Sequence, residues 1–411
     1  MQKESAQTDA TAAVPYLAGV RVLDLTNVLA GPFCCHQLAH FGADVIKVEA
    51  PGRGDLARQL GADSDLNEKL MGVSFLAQNA GKRSITLNLK HEKGKALLKK
   101  LVVRADVVVE NFRPGVMDRL GLGWKVLRDV NPNLIYCAIS GFGQDGPWKD
   151  RPAYDQIIQG ASGVMSITGD AKSGPLRVGF PIADTIGGIS AAFAICAALN
   201  GRERTGGVFI DVSMLEAVIA TMGWAVSNWL IAGDRPSPHG NENPTSAPSG
   251  AFQAADGLIN IAANKDEQWE SLARHVGRPD LLDRAEYKTR ENRKVNRLAL
   301  KAELERSLKT RPAREWADEL NRLGVPAGAV FEVPEILAHE IITKRGMLAV
   351  FQNSPGVGRE ITLLRTGVKV DGEPPKVDSP PPHLGEHNSD VYGEIGISAE
   401  EVARLKQEGI L

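Results

Sequence analysis

The stretch GVRVLDLTNVLAGPFCCHQLAHFGADVIKVE, residues 19–49, contains three patterns in succession. Residues 19–25 alternate and are rich in branched side chains, which predicts a strand, and residues 44–49 repeat the pattern. Between them, residues 32–41 have the spacing of a helix. A strand, a helix and a second strand in this order predict a βαβ unit with parallel strands.

The same succession continues through the first half of the chain. It predicts further strands over residues 84–88, 106–110, 134–139 and 208–212, and helices over residues 93–103, 115–127, 186–199 and 214–231. The helix over 186–199 consists of small apolar residues and is expected to be buried. The alternation predicts an α/β fold with a Rossmann-like, doubly wound parallel sheet.

With 411 residues, the chain is too long for one ordinary core, so two domains are expected. Residues 1–16 are polar and predict a disordered tail. Residues 17–225 form the large α/β domain, and residues 226–330 form a smaller α+β domain, with a hairpin over 251–263. Residues 331–411 are expected to be a linker and a return to the large domain.

The charge balance argues against nucleic-acid and membrane partners. Charged residues make up 24% of the chain and the net charge is -2, so no strong field attracts a polyanion. The four cysteines and the scattered histidines predict neither disulfides nor a metal site. The polar N-terminus has no apolar segment of the kind that a secretory signal contains, so no such signal is expected. A reduced, cytoplasmic protein with buried thiols is expected.

A glycine motif, Gly141-Phe-Gly-Gln-Asp-Gly146, follows a predicted strand and matches the dinucleotide-binding string. The residues that follow, Pro147 to Pro152, cannot continue as the helix that such a site needs. The sequence therefore predicts no nicotinamide or flavin site at this turn.

Asp184 lies between a short apolar run and the helix predicted over 186–199, which indicates a strand-to-helix junction. A carboxylate there accepts backbone N–H groups, feels the positive end of the helix dipole and is expected to be ionised at neutral pH. These properties suit a carboxylate nucleophile and an ordinary helix cap equally well. The residues alone leave both roles open.

Basic residues are expected to recur after strands, namely Lys82, Arg83, Lys90, Arg113 and Arg119. Each alone is typical of a solvated surface. At the carboxyl ends of parallel strands, together with the turn at residues 27–32, they favour a phosphorylated ligand.

The motifs taken together resemble a known family. They are Leu17 to Thr26 with Ala30-Gly-Pro32, residues 42–49, Lys82 to Leu87, Ala105 to Gly115, Pro152-Ala-Tyr-Asp155, Thr168-Gly169, Ala183-Asp184 and Leu384-Gly-Glu-His387. In this order they resemble the class III CoA-transferases (the CaiB/BaiF type), which include formyl-CoA transferase and carnitine CoA-transferase. The resemblance extends over nearly the whole chain.

The resemblance implies that Asp184 is the nucleophile, that acyl-CoA and a small carboxylic acid are the substrates, and that no cofactor is tightly bound. It also implies an interlocked homodimer. Positions that match CoA-binding segments of the family are Leu29, Ala30, Leu87, Lys90, Asn111, Phe112, Arg113, Arg119, Tyr154, Asp155 and Ala183. A family arginine near the adenine corresponds here to Ala50, so either Arg53 or a backbone contact is expected to replace its stacking on the adenine.

Two alternatives follow from the same resemblance. The α-methylacyl-CoA racemases share the fold and carry a histidine just before the aspartate that Asp155 matches. This chain has Ala153-Tyr154 there, and a racemase needs two acid–base groups, so transfer is favoured over racemisation. The second alternative is a CoA-binding protein without catalytic activity.

Within the family, the overall sequence pattern of the chain most resembles that of succinyl-CoA-dependent dicarboxylate transferases, such as succinate–hydroxymethylglutarate CoA-transferase. Where the formyl-CoA enzyme has a glycine run, residues 239–244 here contain one glycine. The loop residues expected to hold a distal carboxylate are His239, Gly240, Asn241 and Asn243.

Overall fold

The computed structural model describes residues 16–375 and 377–411. The tail predicted over residues 1–16 therefore lies, apart from Tyr16, outside the described residues.

Six parallel strands form the main sheet in the order β3-β2-β1-β4-β5-β6. Their bounds are β1 Arg21–Asp24, β2 Asp44–Glu49, β3 Lys82–Thr86, β4 Val107–Glu110, β5 Ile135–Ser140 and β6 Val208–Ser213. Two smaller antiparallel sheets contain β7 Ser249–Gln253, β8 Leu258–Ala262 and β9 Ala327–Ala329, and β10 Leu348–Phe351 with β11 Ile361–Leu364.

The α-helices of the first part of the chain are α1 Ala30–His40, α2 Ser64–Glu68, α3 Val73–Leu76, α4 Glu92–Val102, α5 Val116–Arg119, α6 Trp124–Val130, α7 Asp155–Ala161, α8 Ile182–Thr205 and α9 Met214–Thr221. Those that follow are α10 Trp224–Ala232, α11 Asp266–His275, α12 Arg290–Val295, α13 Arg297–Leu308, α14 Ala313–Arg322, α15 Val333–Ala338, α16 Glu340–Thr343, α17 Asn388–Glu394 and α18 Ala399–Gln407.

The strand order confirms the predicted doubly wound α/β fold. Val22 of β1 pairs with Val45 of β2 on one side and with Val107 of β4 on the other. Central strands of this kind are buried on both faces, because the crossover helices cover both faces of a parallel sheet. The strand order reverses between β1 and β4, and the crevice at such a point is where ligands bind in open α/β sheets.

The chain divides into two compact units. The first contains the described residues up to Ser162, Gly179–Gly223 and Ile341–Leu411, and the second contains Gly163–Val178 and Trp224–Glu340. The domain boundaries expected from the sequence stay a prediction.

In the first unit, the C-terminal segment packs on the open edge of the main sheet. The Tyr392 hydroxyl donates to the Thr86 carbonyl at 2.8 Å, and the Asn388 side chain accepts the Thr86 N–H at 2.8 Å. The Ser84 N–H donates to Nδ1 of His387 at 3.2 Å. An uncovered edge strand would expose unpaired backbone groups, so this segment protects β3.

The second unit has its own core. The strands β7 and β8 form the predicted hairpin, and β9 pairs with β8. Trp269, Leu272 and Trp316 from α11 and α14 are buried against this sheet. The indole N–H of Trp316 donates to the Leu308 carbonyl at 2.9 Å, so its one polar group is satisfied.

Two helix predictions were wrong in detail. The single helix expected over residues 214–231 is two helices, α9 and α10, separated at Met222-Gly223. Gly223 has a φ of +51°, a conformation that ends a right-handed helix. The helix expected to be buried, α8, is buried along one face only, since Phe193 is 77% exposed. Cys196, on the same helix, is exposed, whereas the other three cysteines are buried as expected.

Among the described residues, α8 is long and apolar enough to cross a membrane, and α9 with α10 would also qualify if they were one bent span. The core helix of a soluble protein passes the same test. In this structure α8 packs against α1, β5 and β6.

Helix α1 carries two buried histidines, His36 and His40, each 3% exposed, with ring centroids 4.4 Å apart. Their i, i+4 spacing is that of helical metal ligands, but the described residues contain no group of three or more side chains that could hold a metal. Burial lowers the pKa of His40 to about 4, although the Pro375 carbonyl raises it and Arg365 lowers it further. Burial, His40 and Lys82 also lower the pKa of His36 well below its usual value.

We predict that His40→Leu reduces the acid sensitivity of the fold. Below pH 6.5 the unfolded chain binds a proton at His40 that the folded chain does not bind until about pH 4. The free energy of unfolding therefore falls with decreasing pH across this window, by about 1.4 kcal/mol per unit for one proton. Urea unfolding at pH 7, 6 and 5 should show that the free energy of unfolding changes less with pH in the variant than in the wild type. His91→Asn, at an exposed helix cap, is the control, and equal slopes in all three proteins would contradict the account.

Candidate active site

Most of the predicted CoA-contact residues follow the carboxyl ends of the parallel strands. Leu29 and Ala30 follow β1, and Arg53 follows β2. Leu87 and Lys90 follow β3. The segment Asn111, Phe112, Arg113 and Arg119 follows β4, and Tyr154 and Asp155 follow β5. Because the strands are parallel, these loops lie on one edge of the sheet.

The turn after β1 is fixed at the point where the strand order reverses. The Asn27 N–H donates to the Asn111 side-chain carbonyl at 2.8 Å, and the Asn111 side-chain amide donates to the Asn27 carbonyl at 2.8 Å. Val28 has a φ of +67°, an unfavourable conformation for a β-branched residue. Its N–H donates to Asp55 at 2.9 Å. Such strain is characteristic of functional sites that the surrounding structure holds in place.

Buried charges lie beneath this turn. The Lys47 ammonium group is 2.9 Å from Asp55 and donates to the Thr26 carbonyl at 2.9 Å. The Lys82 ammonium group is 2.9 Å from Asp24. All four charged side chains are fully buried, so each charge depends on its partners. This arrangement, which the sequence did not predict, supports the backbone at the mouth of the crevice.

Two of the basic residues expected after strands do not lie there. Lys82 and Arg83 begin β3 instead of following a strand. Lys82 pairs with Asp24, and Arg83 pairs with Asp44 at 2.6 Å and with Glu394 at 2.6 Å. Both are therefore structural, and the prediction that they face a ligand was wrong.

Four other cations remain available at this side of the sheet. They are Arg53, Lys90, Arg113 and Arg119, all exposed. Within the described residues, none of the four forms an ion pair. Leu87, by contrast, is 2% exposed, so it supports the loop after β3 from below.

Asp184 lies in the first turn of α8, two residues after Ile182. The expected strand before it is absent, since residues 174–181 have no regular structure. A helix cap, one of the two roles left open for Asp184, is not observed here, and the N-cap residue Pro181 makes no side-chain cap hydrogen bond. Among the described residues, no hydrogen bond reaches the Asp184 carboxylate.

The cap is supplied by Asp155, at the start of α7. Its carboxylate accepts the Ala183 N–H at 2.8 Å and lies 3.4 Å from the Asp184 nitrogen. The Gln159 side-chain amide donates to the same carboxylate at 2.7 Å. Asp155 is 7% exposed, so it is a buried anion held by the end of another helix. The Ala183 side chain beside it is fully buried.

This cap changes the electrostatics of Asp184. The carboxyl of Asp184 is half-buried, and burial together with the nearby Asp155 raises its pKa to about 7. The expectation of a carboxylate fully ionised at neutral pH was therefore wrong. A carboxyl group with this pKa is ionised in about half of the molecules at pH 7 and is more basic than an ordinary aspartate.

The glycines after Asp184 allow close helix packing. A Cβ on Gly188 would lie 2.5 Å from the Ala30 carbonyl oxygen, and a Cβ on Gly187 would lie 2.8 Å from Met214. The first turns of α1 and α8 can therefore approach each other. Both glycines are inside α8, where backbone N–H groups bond within the helix, so these N–H groups are not available to an oxyanion.

The candidate substrate loop lies in the second unit. Gly240, Asn241 and Asn243 line a pocket of about 570 Å³ beside β8, while the His239 ring contacts the Ser237 hydroxyl at 3.4 Å. Glu242 lines the same pocket and pairs with Lys301 at 2.6 Å. This ion pair was not predicted, because Lys301 is distant in sequence and lies on a helix with no motif.

Comparison with known proteins shows where the chain belongs. Residues 17–388 match CoA-transferase family III. The chain is 41% identical to acetyl-CoA:oxalate CoA-transferase of Acetobacter aceti, over 82% of this chain and 89% of that protein. It is 36% identical to succinate–glutarate CoA-transferase of Agrobacterium fabrum, over 94% and 98%.

Solved structures agree. A CAIB/BAIF family protein from Brucella suis superposes with a TM-score of 0.81 at 35% identity, covering 92% of this chain and 99% of that one. Rv3272 from M. tuberculosis gives a TM-score of 0.80 at 33% identity, with 92% and 99% covered. The resemblance seen in the sequence is confirmed: the chain belongs to CoA-transferase family III, and it is a CoA-transferring enzyme.

Proposed function

We propose that this enzyme transfers CoA from succinyl-CoA to a small dicarboxylic acid, with Asp184 as the covalent nucleophile. The observation that carries the proposal is the Asp184 carboxyl itself. It is free of hydrogen bonds among the described residues, lies in a capped helix turn, and has a pKa raised to about 7. A merely structural carboxylate would be expected to have partners that stabilise its charge.

Each step of the proposed cycle exchanges one acyl bond for another. The Asp184 carboxylate attacks the thioester carbonyl of the donor, and the carbon–sulfur bond breaks to give an acyl–aspartyl anhydride and CoA thiolate. The thiolate then attacks the aspartyl carbonyl, which gives an aspartyl-CoA thioester and releases the donor acid. The acceptor carboxylate attacks this thioester and displaces the thiolate. The thiolate finally takes the new acyl group, and the Asp184 carboxylate is restored.

The raised pKa suits this cycle in two ways. A more basic carboxylate is a better nucleophile than an ordinary aspartate, and enough of it is ionised at neutral pH to react. No separate base is needed, because every nucleophile in the cycle is already an anion. Asp155 contributes by fixing the helix turn and by raising the pKa of its neighbour.

CoA is proposed to bind at the carboxyl edge of the main sheet. The turn at Leu29 and Ala30 and the segment Asn111 to Arg113 flank the crevice between β1 and β4. The exposed cations described above, Arg53, Lys90, Arg113 and Arg119, would contact the phosphates, and Tyr154 would contact the pantetheine arm beside Asp155. CoA enters as a substrate, and we propose that no further cofactor is tightly bound.

The donor and acceptor are proposed from the relatives and from the loop in the second unit. One relative is named as a succinate–glutarate CoA-transferase. Two others are named for transfer from succinyl-CoA, to mesaconate and to D-citramalate. The His239, Asn241 and Asn243 side chains would bind the distal carboxylate of such an acid. Oxalate is a second candidate acceptor, because the relative from Acetobacter aceti is named for it.

The chain is further proposed to work as a cytoplasmic, interlocked homodimer without nucleic-acid or membrane partners. The support is an apolar surface with no cover in the single chain. Helix α10 has no buried residue, and Trp224 is 80% and Ile231 87% exposed. Such a surface is typical of an interface. A second copy is the occupant that fits, since the segments 233–248 and 365–375, which contain no helix and no strand, allow chains to interlock.

We predict that Asp184→Asn abolishes CoA transfer and does not lower the melting temperature at pH 7.5. The amide cannot form the anhydride, and the substitution removes a carboxyl group whose charge is unfavourable in the folded state. The assay is transfer from succinyl-CoA to a panel of mono- and dicarboxylic acids, read by mass spectrometry. The exposed Asp129→Asn is the control. A helix cap at Asp184 would instead predict retained activity and a loss of about 1 kcal/mol in stability.

We also predict that the rate at saturating acyl-CoA falls about tenfold per pH unit below pH 7, because the protonated Asp184 does not attack. Asp155→Asn should move this fall of the rate to lower pH. Its side-chain carbonyl still accepts the Ala183 N–H, but the negative charge that raises the pKa of Asp184 is gone. Two results would contradict this role of Asp184 and Asp155. The first is a wild-type rate that falls only near pH 4, and the second is a fall that Asp155→Asn leaves at the same pH.

For the dimer, we predict a single folded species of twice the chain mass in sedimentation, with a melting temperature that rises with protein concentration. Trp224→Asp should weaken association, because it places a charge in the proposed interface. Trp148→Asp, on an exposed loop of the first unit, serves for comparison. A folded wild-type monomer at micromolar concentration would rule the dimer out.

A further inference from the structure

Glu110, the last residue of β4, is a buried carboxyl group without a part in the proposed cycle. It is 5% exposed. One carboxyl oxygen accepts the Phe112 N–H at 2.8 Å, and the other lies 3.4 Å from the Tyr136 hydroxyl of β5. The side chain therefore ties the backbone of the loop after β4 to the neighbouring strand β5.

The adjacent residue is fixed as well. Asn111 exchanges two hydrogen bonds with the backbone of Asn27 across the point where the strand order reverses. With Phe112 held by Glu110, two consecutive residues of the loop have their positions set from beneath. Arg113, the next residue, is exposed and has no ion pair among the described residues. The loop thus presents one free cation from a rigid base.

The electrostatic surroundings of Glu110 are negative. The charged groups that act on it are Asp118, in α5, and Asp211, on β6, and both disfavour its ionisation. Tyr136 and Cys137, on β5, are uncharged at neutral pH because burial raises the pKa of each. Burial raises the pKa of Glu110 to about 7, although the Phe112 N–H and the Tyr136 hydroxyl lower it.

We propose that Glu110 is a positioning residue for CoA, whose carboxyl group fixes the loop at Phe112 and takes up a proton when CoA binds. The inference rests on the proposed function, because it takes the crevice between β1 and β4 as the CoA site. Glu110 is already shielded from water, so the effect of a polyanion that settles over this loop is to add negative charge near it. Added negative charge favours the protonated form.

Linkage then gives the direction of the pH dependence. If CoA binding favours protonated Glu110, protonation of Glu110 must favour CoA binding by the same factor. The affinity for CoA is expected to fall by up to tenfold per pH unit above about 7. This pH dependence of the affinity is opposite to the pH dependence of the rate, because ionisation of Asp184 increases the catalytic rate as pH rises. The two effects are separable, since Glu110 changes the affinity for CoA and Asp184 changes the rate at saturating acyl-CoA.

The experiment is calorimetric titration of CoA into the full chain between pH 6.5 and 8.5, in buffers of different ionisation enthalpy. Wild type should take up protons on binding near pH 7.5. Glu110→Gln mimics the protonated carboxyl, so it should take up fewer protons and keep its affinity nearly constant with pH. The exposed Glu92→Gln should behave as wild type. Protonation of CoA itself is common to all three proteins and cancels in the comparison.

Two further variants separate the hydrogen bond from the charge. Glu110→Asp keeps the carboxylate but is one methylene shorter, so it should bind CoA more weakly at every pH while the pH dependence remains. Tyr136→Phe removes one partner that lowers the pKa of Glu110, so the affinity limb should move to higher pH. This variant keeps the test decisive if Glu110→Gln does not fold.

Equal proton uptake and equal pH dependence in wild type and Glu110→Gln would overturn the role of Glu110 and leave the proposed function untouched. Absence of saturable CoA binding by wild type would instead overturn the proposed function, and the role of Glu110 with it. The expected pattern is uptake in wild type and in Glu92→Gln, and reduced uptake in Glu110→Gln.

Discussion

The hydrogen bond from the Ala183 N–H to the Asp155 carboxylate, 2.8 Å long, determines the character of the active site. It caps a 24-residue helix with a residue from a different helix. Because Asp155 satisfies the free end of α8, the carboxyl group of Asp184 is left without a structural task. The same buried negative charge, added to the burial of Asp184, raises the pKa of the proposed nucleophile to about 7. One side chain thus sets both the position of the helix turn and the basicity of the group it carries.

The second constraint is the support beneath the opposite wall of the site. The strained turn at Val28 is held by Asp55 and by the paired side chain and backbone of Asn111 and Asn27. Beneath it, Lys47 and Lys82 are buried with their carboxylate partners. Removing one member of such a pair leaves an uncompensated buried charge, so the arrangement tolerates little change. Close packing at Gly188 brings Ala30 of this wall next to α8. The proposed acyl transfer depends on both the capped turn at Asp184 and this supported turn at Val28.

Patterns local in sequence predicted the fold well. Alternation and helical spacing gave the strand β2 with its observed bounds and the parallel order of the sheet, and the hairpin of β7 and β8 followed from one turn. The motif set indicated the family, which the comparisons confirm. The role of Asp184 came from the resemblance, because its sequence context is shared by ordinary helix caps.

What the sequence could not show are interactions between distant residues. The cap from Asp155, 28 positions before Ala183, has no local signal, so the sequence left a capping role open for Asp184 and wrongly predicted a fully ionised carboxylate. Lys82 and Arg83 were wrongly expected to face a phosphorylated ligand, because their partners Asp24 and Asp44 are far away in sequence. The break at Gly223 was missed because apolar composition continues through it. Glu110 was overlooked inside a motif, since burial is a property of the folded sheet.

The central claim is that Asp184 forms the covalent intermediate. It is tested most directly by incubating the wild-type enzyme with succinyl-CoA, quenching with hydroxylamine and mapping the modified residue by mass spectrometry. Hydroxylamine converts an aspartyl anhydride or thioester to a hydroxamate, so the account predicts a hydroxamate on Asp184 that appears only with acyl-CoA. A hydroxamate on another residue during turnover, or active enzyme with unmodified Asp184, would contradict it.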